Sequence, residues 1–598
     1  MLYPIETKSR CVSFLDGSWD FVKGDKDLDI EIIKSEFENS RPMPVPSSYN
    51  DIYTDLRDHF GWVYYRKEFY YHKVREDERI FLRFDGVNQN TEVYLNGELL
   101  TSHEGGFLPF EVEVSDKVCE ENTLTVAVSN VINNSTLPVG IIKGREEDQD
   151  KNEPNFDFFN YAGIHRHVRI YTTPKAYIED ISLVSELDNK KAKINYDLKV
   201  VGNEDKILVE VFDKKNNLVA SNNQVKGVLL IENPTLWDVV NPYLYKVKIT
   251  YKDDIYYLDY GIRTVEVKGN QFLLNGKPFY FKGFGKHEDS ILNGRGFNEV
   301  ISHKDFSLMK EMGANSFRTA HYPYAEETMR LADKLGFLVI DETTAVGLNG
   351  KFGGGANFKS DDVNIYDGDL GMASKVYNHH RDVVKNLIAR DKNYACVVMR
   401  SIANEPDSYS EGAYEYFKPL FDLAKEEDPQ KRPTCLVSVL AGDINLDVTR
   451  DLSDVICLNR YYGWYNEGPY LDKAMAAFRK ELDNWQEIGK PIIISEYGAD
   501  AILGMRDYDD FPVMFSEDYQ VAYYRENNKV IDAYPSVVGE HPWNFADFNT
   551  AQSIKRVNGN KKGLFSRDRQ PKLAVSLFKE RWNKMADYID KNKKEEIR

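Results

Sequence analysis

Along residues 91–100, TEVYLNGELL, the apolar Val93 and Leu95 alternate with Glu92, Tyr94 and Asn96, and Gly97 follows. Alternation with a period of two marks a half-buried strand, and an Asn-Gly pair marks a tight hairpin turn. Short strands of this kind recur as far as VRIYTTP, where Pro174 marks a boundary. From Tyr177 the pattern restarts in ISLVSEL, KINYDLKVV, ILVEVFD and YLYKVKITY, a block of about 90 residues that predicts a small β-sandwich.

After Arg263 the pattern changes. QFLLNGKPF predicts a hairpin turning at Asn275-Gly276, and short apolar runs then alternate with helical ones. Eight runs read as strands: FYFKGFGKH, ANSFRTAHYP, FLVIDET, CVVMRSIANEP, CLVSVLAG, VICLNRYYG, PIIISEYGAD and SVVGEHPWNFADF. Between the second and third, EETMRLADKLG spaces Met329/Ala332 and Leu331/Leu335 for a helix that stops at Gly336. Eight strand–helix units over about 330 residues predict a (β/α)8 barrel.

At 598 residues the chain is too long for one core, and two to four domains are expected. A net charge of −19 excludes nucleic acid and anionic membranes as main partners, since both need a basic surface. An anionic substrate would require a local basic cluster against that field. Five widely spaced cysteines without CxxC spacing point to reduced thiols and a cytoplasmic protein. The stretch MLYPIETKSR has no apolar core of a signal peptide, and no run approaches the length of a membrane span, so neither is expected. The histidines form no HExxH pattern, and GFGKH lacks the spacing of a phosphate loop. No metal and no cofactor are therefore expected.

In barrels of this kind the chemistry sits at the C-terminal ends of the strands. Here those ends read Lys286-His287-Glu288, His321-Tyr322-Pro323-Tyr324, Asp341-Glu342, Asn404-Glu405, Asn459-Arg460-Tyr461-Tyr462, Glu496-Tyr497 and Trp543-Asn544. Glu405 ends the fourth strand and Glu496 the seventh, on opposite sides of the mouth. Two carboxylates about 5–5.5 Å apart define a retaining glycosidase. Taken alone, Glu405 reads equally well as a helix start, with Asn404 as cap and Pro406 in the first turn. Glu496 alone reads equally well as an ordinary polar strand end. Their joint occurrence favours the catalytic pair.

The stretches NSFRTAHYPYAEETMRLADKLGFLVIDE and SIANEP resemble signatures of glycoside hydrolase family 2. DFFNYAGIHR, LNRYYGWY, ISEYGAD, WNFADF and NGNKKGLFSRDRQPK extend the likeness to its bacterial β-glucuronidase branch. The resemblance covers essentially the whole chain. It implies a jelly-roll, sugar-binding-like β-sandwich over 1–176, an immunoglobulin-like β-sandwich over 177–266 and a catalytic TIM barrel over 267–598. It implies hydrolysis of terminal β-D-glucuronides, a small-molecule substrate class, and a homotetramer. Glu405 corresponds to the acid/base and Glu496 to the nucleophile. Asn404 would bind the sugar 2-hydroxyl, and His321, Asn459, Tyr461, Tyr465 and Trp543 would line the sugar site. Asp157, from the first domain, would reach a sugar hydroxyl. Asn560 and Lys562 match the pair that holds the glucuronate carboxylate, with Arg556 nearby. Read by itself, RVNGNKKG is a basic turn after the eighth strand whose ammonium groups suit a carboxylate. Two alternatives stay open: a β-galactosidase or galacturonidase of the same family, and a sugar-binding homologue impaired in catalysis.

Two features stand apart. Residues 348–370, rich in glycine and polar groups, are expected to form a lid over the aglycone side, an inert loop being the alternative. Arg400 lies in the fourth strand where relatives usually carry Trp. It either pairs with Asp341 or Glu342 of the third strand or sits as an unpaired buried charge. The expectation is the second, with a weakened barrel and a pull on Glu405 of about one pKa unit downward.

Overall fold

The computed structural model describes residues 1–143, 150–188, 190–203, 206–350, 364–368 and 371–589. Eight parallel strands close a barrel in the C-terminal part. In chain order they are β1 (Phe281–Lys286), β2 (Ser316–Thr319), β3 (Leu338–Glu342), β4 (Val397–Asn404), β5 (Thr434–Ser438), β6 (Ile456–Asn459), β7 (Ile492–Tyr497) and β8 (Val537–Pro542). Each falls within one of the eight apolar runs, β5 starting one residue ahead of its run. Every residue of all eight is buried. Strands enclosed by the barrel interior on one face and helices on the other read as continuous apolar runs for this reason. The helix Glu326–Leu335 buries Met329 and Ala332 and ends on Gly336 at φ 72°, a left-handed stop that favours glycine.

Two β-sandwiches precede the barrel. The first stacks a six-stranded sheet on a four-stranded one around Trp19, Phe21, Leu82, Phe84, Val126 and Ile170. The second packs three strands on four around Ile181, Ile194, Val209 and Val247. Asn96 and Gly97 have φ 52° and 82°, and Asn275 and Gly276 have 53° and 72°. A two-residue hairpin turn with both residues left-handed is what selects Asn-Gly there. One alternation differs from expectation: Tyr94 is buried against Ile33, Tyr64 and Ala127, because the helix Ile30–Lys34 covers the second face of its sheet.

The first sandwich is pinned to the barrel mouth. Arg166 donates to Glu288 beyond β1 at 2.9 Å and to the Pro323 carbonyl at 2.7 Å. Asn155 donates to the Gly347 carbonyl at 2.7 Å, and Phe159 N to the Asn549 carbonyl at 2.9 Å. Residues 155–159, with Asp157 at their centre, thus cross from the first domain onto the barrel. Of the expected lid over 348–370, residues 351–363 and 369–370 lie outside the described residues.

The expectation for Arg400 is corrected. Ser401 turns into the barrel and donates to Glu342 at 2.7 Å, so Arg400, one residue earlier, turns outward. There it pairs with Asp341 and lies 3.5 Å from Asp428, the residue closing helix Ala413–Glu427. Of the two partners considered, Asp341 holds Arg400, whereas Glu342 faces inward and pairs with Arg318. The charge is buried but not unpaired, and it points away from Glu405.

Candidate active site

Glu405 follows β4 directly, with φ 50°. A left-handed backbone costs a non-glycine residue about 1–2 kcal/mol. It is held by Glu405 N donating to the Val437 carbonyl at 2.9 Å and Asn349 Nδ2 donating to the Glu405 carbonyl at 3.2 Å. The helix-start reading does not hold, because the next helix begins only at Ala413, capped by Gly412. On the side-chain end, Asn459 Nδ2 from β6 donates to Glu405 Oε1 at 2.7 Å.

Glu496, on β7, is gripped from both sides. Tyr461 OH donates to Oε2 at 2.6 Å and Arg318 Nη2 donates to Oε1. Arg318 Nη1 also donates to both oxygens of Glu342, at 2.8 and 2.9 Å, and to Asn404 Oδ1 at 3.3 Å. His321 Nδ1 lies 2.9 Å from Glu342 Oε1. Glu342 is thereby kept below its ordinary pKa: burial would raise it, but Arg318 and His321 outweigh burial.

Glu405 has the opposite environment. Burial, reinforced by the charge of Glu496, pushes its carboxyl up to about 8, against Asn459 and Arg318. A carboxyl kept protonated near neutrality beside a carboxylate held by a guanidinium and a phenol is the pairing used in acid-assisted displacement at a glycosidic carbon.

An aromatic wall backs the pair. The Trp543 indole stacks on His321 with centroids 5.0 Å apart, and Phe158 from the first domain lies 6.2 Å from the same imidazole. A Cβ at position 285 would come within 2.4 Å of the Trp543 ring. The second glycine of GFGKH therefore makes room for the indole.

A second cluster adjoins the first. Lys562 and Asn560 are both 1% exposed. Lys562 Nζ donates to Asp500 and, at 2.9 Å, to Tyr465 OH. Its ammonium also lies 5.7 Å from the Tyr461 ring centroid and 5.3 Å from that of Trp464. Arg556 donates to Asp157 at 2.8 Å and to Tyr465 OH at 2.9 Å, and Asn560 Nδ2 donates to Asp157 at 3.0 Å. Burial would raise Asp500, but Lys562 and Arg556 hold it below its ordinary value. Tyr465 and Tyr461 rings, 5.1 Å apart, join the two clusters.

The structure thus gathers Glu405, Glu496, Asn404, Asn459, Tyr461, His321 and Trp543 in one network, and Asp157, Tyr465, Arg556, Asn560 and Lys562 in the next. Asp157, expected at a sugar hydroxyl, spends its oxygens on Arg556 and Asn560. Sequence reasoning missed Arg318, which joins Glu342 to Glu496, and Asp500, which holds Lys562. Both sit in quoted motifs, NSFRTAHYPY and ISEYGAD. A charged residue inside a buried strand was the available signal for Arg318.

Comparison with known proteins follows the same lines. Residues 265–587 match the TIM barrel domain of glycosyl hydrolases family 2, residues 12–174 its sugar binding domain, and residues 176–263 a third model described as glycosyl hydrolases family 2. The chain is 43% identical to a beta-glucuronidase of Streptococcus agalactiae, covering 99% of each. Among solved structures, a beta-D-glucuronidase of Dictyoglomus thermophilum is 45% identical with a TM-score of 0.92, covering 99% of this chain and 100% of that one. A Bifidobacterium dentium beta-glucuronidase complexed with coumarin-3-O-glucuronide is 42% identical with a TM-score of 0.92, covering 98% and 99%. With all three family models matched in order along its length, the chain belongs to glycosyl hydrolases family 2.

Proposed function

We propose that the chain hydrolyses terminal β-D-glucuronides to D-glucuronate and an aglycone alcohol by double displacement with retention. The observation that carries this reading is the Lys562–Asn560–Arg556 cluster beside the Glu405/Glu496 pair. Glu496 attacks the anomeric carbon while Glu405 protonates the departing oxygen. Glu405, now ionised, then takes a proton from the water that breaks the glycosyl–enzyme ester. Arg318 and Tyr461 hold Glu496 by both oxygens and aim it. Asn404 meets the 2-hydroxyl, where hydrogen bonds strengthen in the transition state.

The carboxylate is recognised by directed N–H groups more than by net charge. Arg556 and Lys562 face Asp157 and Asp500, so the cluster is close to neutral. An ammonium has three N–H bonds and an amide two. Asp500 and Tyr465 take two from Lys562, and Asp157 takes one from Asn560. One donor on each is left for the two oxygens of a substrate carboxylate.

A galactoside would leave those donors without an anion, and both carboxylates with their donors argue against a binding protein without catalysis. Named relatives over the whole chain length favour a glucuronide over a galacturonide. The division at 176/177 and 266/267, a homotetramer and a cytoplasmic location belong to the same proposal; the exposed free thiols Cys11 and Cys119 suit a reducing compartment.

The test is hydrolysis of a chromogenic β-D-glucuronide beside the matching galactoside and galacturonide. The glucuronide should be cleaved fastest. Lys562→Ala should lower its kcat/KM about tenfold to two hundredfold and leave the low galactoside rate nearly unchanged. Faster cleavage of another sugar, or equal losses on both, overturns the reading.

A further inference from the structure

Ser495 is fully buried and immediately precedes Glu496 on β7. In a regular strand these two side chains would point to opposite faces. β7 is not regular at this point. Ile494 pairs with Leu458 of β6 and Glu496 with Asn459, which leaves Ser495 without a partner across the ladder. On the other side, Ile494 pairs with Glu540 and Tyr497 with Pro542, again one residue in excess on β7. An extra residue of this kind is a β-bulge, and bulges re-aim side chains.

The bulge lets the Ser495 hydroxyl donate to Asn459 Oδ1 at 2.9 Å. The other end of the same amide, Nδ2, donates to Glu405 Oε1 at 2.7 Å and lies 3.4 Å from Asn404 Oδ1. Asn404 Oδ1 also accepts from Arg318, so it is fixed as an acceptor and needs a nitrogen opposite it. No other donor among the described residues reaches Asn459 Oδ1. Without the hydroxyl, that oxygen would be a buried acceptor with no donor, which is costly. The rotation that relieves it turns the oxygen onto Glu405, where it captures the acid's proton.

We propose that Ser495 is a positioning residue for Glu405: its hydroxyl holds the Asn459 amide in the orientation that donates to Glu405 and leaves the acid's proton free for the departing oxygen. The inference rests on the reading of Glu405 as the acid/base. It concerns only the step in which the leaving group is protonated, and Ser495 acts through Asn459 without touching the sugar.

The experiment compares aryl β-D-glucuronides with poor and good leaving groups, phenyl and 2,4-dinitrophenyl. Because kcat/KM reports the first displacement, an acid that is badly presented costs rate only where protonation is needed. Ser495→Ala should lower kcat/KM for the phenyl glucuronide about tenfold and for the dinitrophenyl one less than about twofold. The alkaline limb of its profile should move upward, since Asn459 donation lowers the pKa of Glu405. Ser495→Thr, which keeps the hydroxyl, should restore the phenyl rate, and Ser495→Ala should add nothing in an Asn459→Ala background. If Ser495→Ala fails to fold by thermal melt, Ser495→Cys, similar in volume and a weak donor, carries the same comparison. Equal losses on both substrates, or a further loss in the Asn459→Ala background, overturns the proposal. A wild type inactive on both glucuronides overturns the functional reading instead.

Discussion

Arg318 Nη2 donates to Glu496 Oε1 while Nη1 of the same guanidinium holds Glu342, so one buried cation is shared between two buried carboxylates. Burial opposes the charge on Arg318, but Glu342 and then Glu496 raise its pKa above the ordinary value. A fork can meet two carboxylates at once, and a single ammonium cannot do so with the same geometry. Arg318→Lys should therefore lower kcat at least about a hundredfold with a smaller change in KM. Arg318→Met should also lower the melting temperature, because removing one partner of a buried pair costs about 3–5 kcal/mol. Steady-state kinetics and thermal melts read both. A lysine variant with near-native kcat would mean that Glu496 does not depend on the fork.

The two glutamates should separate by leaving group. Glu496→Gln should lose nearly all turnover on every substrate, since no nucleophile remains. Glu405→Gln should keep activity on dinitrophenyl glucuronide, which needs little protonation. A 2-fluoro glucuronide that traps the glycosyl–enzyme should label Glu496, as read by peptide mass spectrometry. Label on any other residue refutes the assignment.

The pH behaviour follows from Glu405. Its pKa of about 8 in the folded protein stands above the ordinary 4.5. The acid must be protonated to act, so the alkaline limb of kcat/KM should fall near pH 8. The same shift bears on stability. A carboxyl raised in the folded state contributes stability that is complete below its unfolded pKa and is lost as pH rises through the folded one, here between 4.5 and about 8. The slope from one group is at most about 1.4 kcal/mol per pH unit. Wild-type melting temperature should thus fall from pH 5 to pH 8, and Glu405→Gln should flatten that fall. Identical slopes in both proteins would mean that Glu405 is ordinary in the folded state.

What the sequence discloses here depends on how many faces of a strand are buried. The eight barrel strands stand out because both faces are buried, which produces runs such as PIIISEY and FLVIDE. The same double burial hides direction, since no polar alternation says which side faces the barrel interior. Arg318 and Arg400 are each a lone arginine in such a run, and only the structure separates the inward one from the outward one. The bulge that turns Ser495 inward is a matter of register between β7 and its neighbours, and register is carried by two other strands. Polar strand ends such as Asn404-Glu405 are legible as chemistry only together, because each alone also fits a helix cap or an ordinary strand end. The tie between Lys562 and Asp500 spans 62 positions, and its parts were visible without their pairing.

Arg400 provides the sharpest test of that distinction. It turns away from the mouth, so its charge should not govern Glu405, and Arg400→Trp should leave the alkaline limb near pH 8. Stability should change. Removing Arg400 takes the ion-pair partner from Asp341, whereas Asp428 keeps Arg432 at 2.9 Å. Asp341 is already raised to about 7, because burial and then Asp391 outweigh Arg400 and Arg390. It therefore holds a proton at pH 5 in either protein, and the variant gives up little there. At pH 8 the wild type carries an ionised, paired Asp341, whereas the variant must protonate it at a cost. The melting temperature of Arg400→Trp should accordingly fall by about 3 °C at pH 8, for a loss of about 2 kcal/mol in a barrel of this size, and by less at pH 5. A melting temperature raised at both pH values would mean that the ion pair is a burden on the barrel, as an unpaired arginine would be.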